Sequence, residues 1–205
     1  GLDLSVGSLM ALGGLVASLA MTNGVPIILA VILGIIVGAA FGVVNAFCIV
    51  KLNIPAMIAS LGTMYMARGL VLIITKGSPV FPLPEAFSAF GKGFLIGLPY
   101  VVIIAIILSI IAHLILTKTT YGRKVYAIGG NPETAKFAGI NVAMVTASCY
   151  LISGSLAALS GILTAARMGS GQPSIGDGTE MTVITAVIIG GTSLNGGAGT
   201  ILGTV

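Results

Sequence analysis

Charge is what this chain has least of. Only 7% of its 205 residues are charged, one is histidine, aromatics make up 6% and tryptophan is absent. A soluble domain carries roughly 25% charged residues. So few charges cannot wet a surface of this size, and the solvent they imply is lipid. The scarcity of aromatics leaves only a thin belt for the membrane interface. A net charge of +4 then speaks to orientation in a bilayer and excludes nucleic acid as a partner. The two cysteines, Cys48 and Cys149, lie inside apolar runs and read as small buried hydrophobes, with no disulfide framework. There is no G-x-x-x-x-G-K-[ST], so the chain has no P-loop for ATP. There is no H-E-x-x-H, no Cys/His cluster at metal-ligand spacing and no G-x-S-x-G. His113 alone cannot build a histidine-based site, and an interfacial or packing role is expected for it. No catalytic residue, metal or cofactor is expected. No cleavable signal peptide is visible. The chain begins at Gly1 and stops at Val205 within an apolar stretch. It reads as a fragment lacking membrane segments at both ends, and as one transmembrane domain over 1–205.

What is present is hydrophobic length. Mean hydropathy is +1.16 and 57% of residues are apolar. A spanning helix needs about 20 apolar residues. Pro26 to Val50, Ile54 to Ile74, Leu95 to Leu116 and Val142 to Ala166 each meet that need. Leu4 to Ala20 is shorter and fits a half-helix. Met181 to Gly190 is shorter still and runs into Gly191-Thr192-Ser193-Leu194-Asn195-Gly196-Gly197. The fold class expected is an all-α, polytopic transmembrane bundle with broken or re-entrant segments. Irregular backbone at membrane depth survives only under a cover of protein or along a water-filled cavity. The polar breaks at Asp3, Ser5, Ser193 and Asn195 are therefore expected to be covered or to line a conduit. Asp3 has an alternative role as a cap for the helix beginning near Ser5. Arg68 is the only charge in these four spans, free to snorkel, to pair with a carboxylate or to face the path.

Lys118, Arg123, Lys124 and Lys136 lie in the loop 117–141, with Lys51 in the other loop on that side. The opposite side holds Lys76, Lys92 and Arg167, diluted by Glu85, Asp177 and Glu180. The bias places the 117–141 loop in the cytoplasm. Ala30, Gly34, Gly38, Gly42 and Ala46 recur at a strict spacing of four, as do Ser153, Ala157, Gly161 and Ala165. Such stripes allow the close backbone approach that packs helices in lipid. They predict a compact bundle and say nothing of cargo.

The 117–141 loop carries helix punctuation. Asn131 suits an N-cap, Pro132 the first helical position and Glu133 the positive end of the dipole, while Gly139 is a C′ stop. These signals predict a helix over Pro132 to Ala138. Isolated helices that short are marginal in water, so it needs something to dock on. A knob for a cytosolic partner and a helix resting on its own bundle or on the lipid surface fit the spacing equally.

Gly1-Leu2-Asp3-Leu4-Ser5-Val6-Gly7-Ser8, then Tyr121-Gly122-Arg123 with Ala127-Ile128-Gly129-Gly130-Asn131 and Gly139-Ile140-Asn141, then Gly190-Gly191-Thr192-Ser193-Leu194 with Gly196-Gly197 together resemble one family. It is the permease subunit of bacterial ATP-binding-cassette importers for ribose, xylose, galactose and related sugars. Arg68-Gly69, Gly77-Ser78-Pro79, Ala166-Arg167 and Gln172-Pro173 fit it too, so the resemblance covers essentially the whole chain. It implies one half of a pore in the bacterial inner membrane, paired with a second permease copy and embedded in lipid. A cytosolic ATP-binding-cassette ATPase would bind below it, and a periplasmic sugar-binding protein would deliver cargo from above. It also implies that 117–141 is a cytoplasmic coupling loop seated on the ATPase. On that footing Phe137 is the apolar anchor, Arg123 and Glu133 make rim contacts, Asn131 caps, and Gly130 and Gly139 set the angle. Two alternatives stand beside it. One is a related permease for branched-chain amino acids or nucleosides, which the Asp-Leu-Ser-Val-Gly-Ser run disfavours. The other is an ion-coupled secondary transporter, disfavoured because the sequence places no carboxylate inside a span.

Overall fold

A computed structural model describes residues 1–205 throughout. In chain order it builds α1 (Val6–Thr22), α2 (Ile27–Val50), α3 (Ala56–Thr75), α4 (Glu85–Lys92), a hairpin of β1 (Phe94–Leu95) and β2 (Leu98–Pro99), and α5 (Tyr100–Lys118). Then come α6 (Thr120–Gly130), α7 (Pro132–Phe137), α8 (Val142–Met168), α9 (Thr179–Ile189) and α10 (Ile201–Thr204). Four of these, α2, α3, α5 and α8, are long and apolar enough to cross a bilayer. The protein is an all-α, polytopic membrane protein. Its outer faces carry exposed Ile28, Ile36, Phe47, Ile58, Ile73 and Ile110, a surface suited to lipid.

The run Leu4 to Ala20, expected as a half-helix, forms α1 at the centre. In α1, eleven of seventeen residues are buried, because α2, α3 and α8 all pack around it. Chains of contacts fix the directions. Gly34 of α2 lies on Gly13 of α1, and Gly38 and Gly42 lie on Gly154 and Tyr150 of α8. Hence α2 runs antiparallel to α8. The whole stripe Ala30, Gly34, Gly38, Gly42, Ala46 is buried, as the spacing of four requires. A Cβ on Gly38 would meet the Gly154 carbonyl oxygen and the Ala158 side chain. Lipid is as apolar as leucine, so this contact is held by dispersion between closely set backbones and not by a hydrophobic drive. On α8 the ridge Gly154 and Ala158 faces α2, while Gly161 meets Met10 of α1.

Two boundaries differ from the hydropathy reading. The apolar run from Leu95 does not begin α5. Ile96 (φ 53°) and Gly97 (φ 79°) turn it into the hairpin, two left-handed residues in succession being the turn that matches strand twist. In the loop 117–141, Thr120–Gly130 is also helical, where the sequence signals predicted only the helix from Pro132. Thr119 caps it, its Oγ1 accepting from the Gly122 amide at 3.2 Å, and Gly122 is pressed against the Leu116 carbonyl where no side chain fits. We call the end of the bundle carrying this loop the basic end.

Candidate functional site

At the end opposite the basic end, α8 stops at Gly169, a left-handed C-cap residue (φ 72°). The chain then turns back along α1. Val80 and Gly171 exchange backbone hydrogen bonds of 2.8 and 2.9 Å. Gly171 lies against Leu15 and Ser18, and Gly176 (φ 78°) lies against the backbone of Gly7. Leu15 and Gly7 are separated by about 12 Å of helix, so the segment 169–178 descends into the bundle before α9 begins. Asp177 and Glu180, expected in an outer loop, lie with this segment, and Glu180 reaches Gly7. The cause is glycine-on-glycine contact, which leaves no polar residue periodicity for a sequence window to detect. An α9 of eleven residues thus completes a span whose first half is irregular backbone.

Arg68 supports that irregular half. Its Nη1 donates to the Pro173 and Ile175 carbonyls at 2.7 and 3.2 Å, and its Nη2 meets Asp177 Oδ1 at 2.7 Å. Unpaired carbonyls facing hydrocarbon would cost several kcal/mol each, and one guanidinium satisfies two. With the side chains of Arg68 and Asp177 at 18% and 63% exposure, the carbonyl pair is the more sheltered interaction. Arg68, Gln172, Ser174 and Asp177 border a cleft of about 400 Å³.

Nearer the basic end a second polar layer crosses four helices. Asp3 Oδ1 accepts from the Ser5 amide at 3.0 Å and from the Ser5 hydroxyl at 2.6 Å, and Asp3 Oδ2 accepts from Ser153 of α8 at 2.7 Å. Ser5 Oγ accepts from Asn45 of α2 at 3.0 Å, whose Oδ1 accepts from Thr63 of α3 at 2.7 Å. Ser5 and Asn45 are fully buried and Thr63 nearly so. Ser5, not Asp3, occupies the N-cap of α1. Asp3 makes an Asx turn before it and ties α1 to α8. The bundle therefore holds three carboxylates against its helices: Asp3, expected to be covered or to line the path, Asp177, the carboxylate that Arg68 pairs with, and Glu180 beside Gly7. Each lies just outside an apolar run, so none falls inside a span read from the sequence.

Asp3, Tyr150, Ser153, Tyr126, Val183 and Ser193 stand around a cavity of about 580 Å³ with mainly apolar walls. Of the residues expected on a path, Asp3 and Ser193 reach this cavity, Ser5 is buried behind it, Arg68 borders the other cleft, and Asn195 is exposed and reaches neither. Beyond α9, the turn from Gly190 to Thr200 closes on itself, Ser193 N donating to the Ala198 carbonyl at 2.9 Å.

At the basic end, α7 is capped as its sequence requires. Asn131 Oδ1 accepts from the amides of Glu133 and Thr134, both at 3.0 Å. Gly139 takes φ 79°, which any side chain would resist. Ala135 alone is buried, whereas Phe137 is 91% exposed, and Arg123, Gly130, Glu133 and Gly139 all reach the surface. The preceding α6 is fastened to the bundle. Tyr121 Oη is 2.8 Å from Ser148 Oγ and 3.5 Å from Cys149 Sγ on α8. Burial pushes the Tyr121 phenol above its ordinary value, partly countered by the Ser148 contact, so it stays a neutral hydrogen-bonding post. Tyr126 Oη donates to the Gly199 carbonyl at 2.7 Å. Sequence reasoning named neither tyrosine as a fastening, and a tyrosine pair five residues apart in a basic loop was the only signal. No three His, Cys, Asp or Glu side chains stand together as a metal site would need.

The branched-chain amino acid transport system / permease component family matches residues 1–205. The ribose import permease protein RbsC of Bacillus subtilis is 41% identical over all of this chain and 64% of its own length. That of Escherichia coli K12 is also 41% identical, over all of this chain and 65% of its own. The L-arabinose transport system permease protein AraH of Escherichia coli K12 is 41% identical over 97% of this chain and 61% of its own length. The chain thus spans a little under two thirds of these relatives. No solved structure matches it.

Proposed function

The chain belongs to the permease-component family of branched-chain amino acid transport systems, and from that premise we infer that it forms part of the transmembrane pore of an ATP-driven importer for a small sugar. One observation carries the energy coupling. Phe137 stands 91% exposed on a helix capped at both ends, in a chain without a nucleotide-binding motif. Burying that ring in a partner's groove would give about 1.5–3 kcal/mol. The work of ATP hydrolysis then enters through α7 from a separate cytosolic ATPase. The basic end faces the cytoplasm of a bacterial inner membrane, as the distribution of lysine and arginine favours. A periplasmic sugar-binding protein delivers cargo at the other end, and a second copy of the permease completes the pore. The relatives' names, for ribose and L-arabinose, support a monosaccharide over an amino acid or nucleoside.

Asp3 and Asp177 bear on the ion-coupled alternative. Asp177 is paired with Arg68 and Asp3 accepts three hydrogen bonds, so each of these two already serves a structural contact. The test is ribose uptake into vesicles containing the full-length permease, with and without its ATPase and binding protein. Uptake requires ATP and both partners, and Phe137→Asp abolishes it together with co-purification of the ATPase. Uptake that proceeds without ATP and collapses on adding a protonophore would overturn the reading.

A further inference from the structure

α6 touches the rest of the molecule at two places with different character. Its base is fixed, with Tyr121 on α8 and Gly122 against the Leu116 carbonyl. Its tip grips the turn between α9 and α10. Tyr126 donates to the Gly199 carbonyl at 2.7 Å across 73 residues of sequence. One turn further on, Gly129 lies so close to Gly196 and Gly197 that a Cβ would strike the Gly197 amide nitrogen. Gly196 and Gly197 themselves have φ of 95° and 78°, so the turn's shape and its contact with α6 both depend on glycine. On the far side of the turn Gly190 and Gly203 press backbone on backbone, so α9 and α10 leave it as a closed pair. α7 continues directly from the tip of α6 at Asn131.

We propose that α6 is a lever carrying the displacement of α7 to the α9–α10 turn, with Tyr126 and Gly129 as its positioning residues. The proposal rests on the reading of α7 as the ATPase contact. Force applied at α7 has a short rigid route. It passes through the end of α6 and a directed hydrogen bond with a backbone contact, into the turn that ends the interrupted span. From there α9 leads back to Gly176, Gly7 and the Arg68 clamp. An exposed helix merely resting on the bundle would need apolar side chains on its underside. It would not need a hydroxyl aimed at one carbonyl beside a glycine pair.

The experiment measures ATP hydrolysed per sugar transported by the full-length permease, assembled with its ATPase and binding protein in proteoliposomes. Tyr126→Phe removes one hydroxyl and keeps the ring. It is expected to lower uptake roughly threefold to tenfold, the range one hydrogen bond can shift an equilibrium, while hydrolysis and ATPase co-purification persist, so the ratio rises. Gly129→Ala, which parts α6 from the turn, is expected to raise it further. A merely structural role would lower uptake and hydrolysis together and leave the ratio unchanged, and that result overturns the proposal, as does wild-type behaviour of both variants. Phe137→Asp separates the two readings. If it still co-purifies the ATPase, the docking role of α7 fails. If it loses the ATPase while Tyr126→Phe keeps the normal ratio, only the lever fails.

Discussion

Arg68 shows how one cation can serve two kinds of partner at different strength. Its pair with Asp177 is largely open to solvent on the carboxylate side, and exposed pairs contribute about 0–1 kcal/mol. Its bonds to the Pro173 and Ile175 carbonyls are sheltered, and hydrogen bonds to charged groups contribute about 1.5–3 kcal/mol. Asp177→Asn is therefore expected to leave the unfolding midpoint in detergent nearly unchanged, whereas Arg68→Met lowers it clearly. If both variants lose the same stability, the ion pair and not the carbonyl clamp holds the segment. Asn45 is the corresponding residue of the inner layer, buried and bonded to Ser5 and Thr63. Asn45→Asp would set a second carboxylate beside the group already bonded to Asp3. We expect loss of folded protein from it on gel filtration, and a much smaller effect from Asn45→Ala.

Among the elements, α2 and α8 pack backbone on backbone along a row of glycines. Gly38→Leu forces a side chain into the Gly154 carbonyl, an overpacking that costs about 1–3 kcal/mol or more when backbone must move. Gly62 on α3 has open space where a Cβ would stand, with nothing within 4 Å, so Gly62→Leu is the matched control. The monodisperse fraction after membrane extraction should fall for the first and hold for the second. This difference also marks what the sequence could reveal. The stripe on α2 was legible because one small residue at every fourth position has no other use. The ridge Gly154 and Ala158 was not, since serines at 153 and 155 blur the α8 pattern. The helix α6 was hidden by its own glycines, which are there for close approach to Leu116 and Gly197 and not for breaking the chain.

At the scale of the whole molecule, hydropathy located the long helices that face lipid and misjudged the part that does not. The capped knob of α7 was readable residue by residue, because Asn131 and Gly139 act locally. The descent of 169–178 was not. Its position depends on Gly7, Arg68 and Val80, which are distant in sequence, and on backbone contacts that leave no apolar period. The polar layer from Asp3 to Thr63 was half visible, since Asp3 and Ser5 could be singled out but not their partners on α2, α3 and α8.

The interrupted span also fixes an order of events during biogenesis. At eleven residues, α9 is about 16 Å long, half the thickness of the hydrocarbon core at about 30 Å. It cannot leave the translocon for lipid as an independent unit, and the irregular chain before it cannot either. The irregular chain rests on Gly7 and Ser18 of α1 and on Arg68 of α3, which are synthesised first. Placing the segment 169–178 is thus a docking step onto an already assembled template, and any change that delays the pairing of α1 with α3 will delay that step.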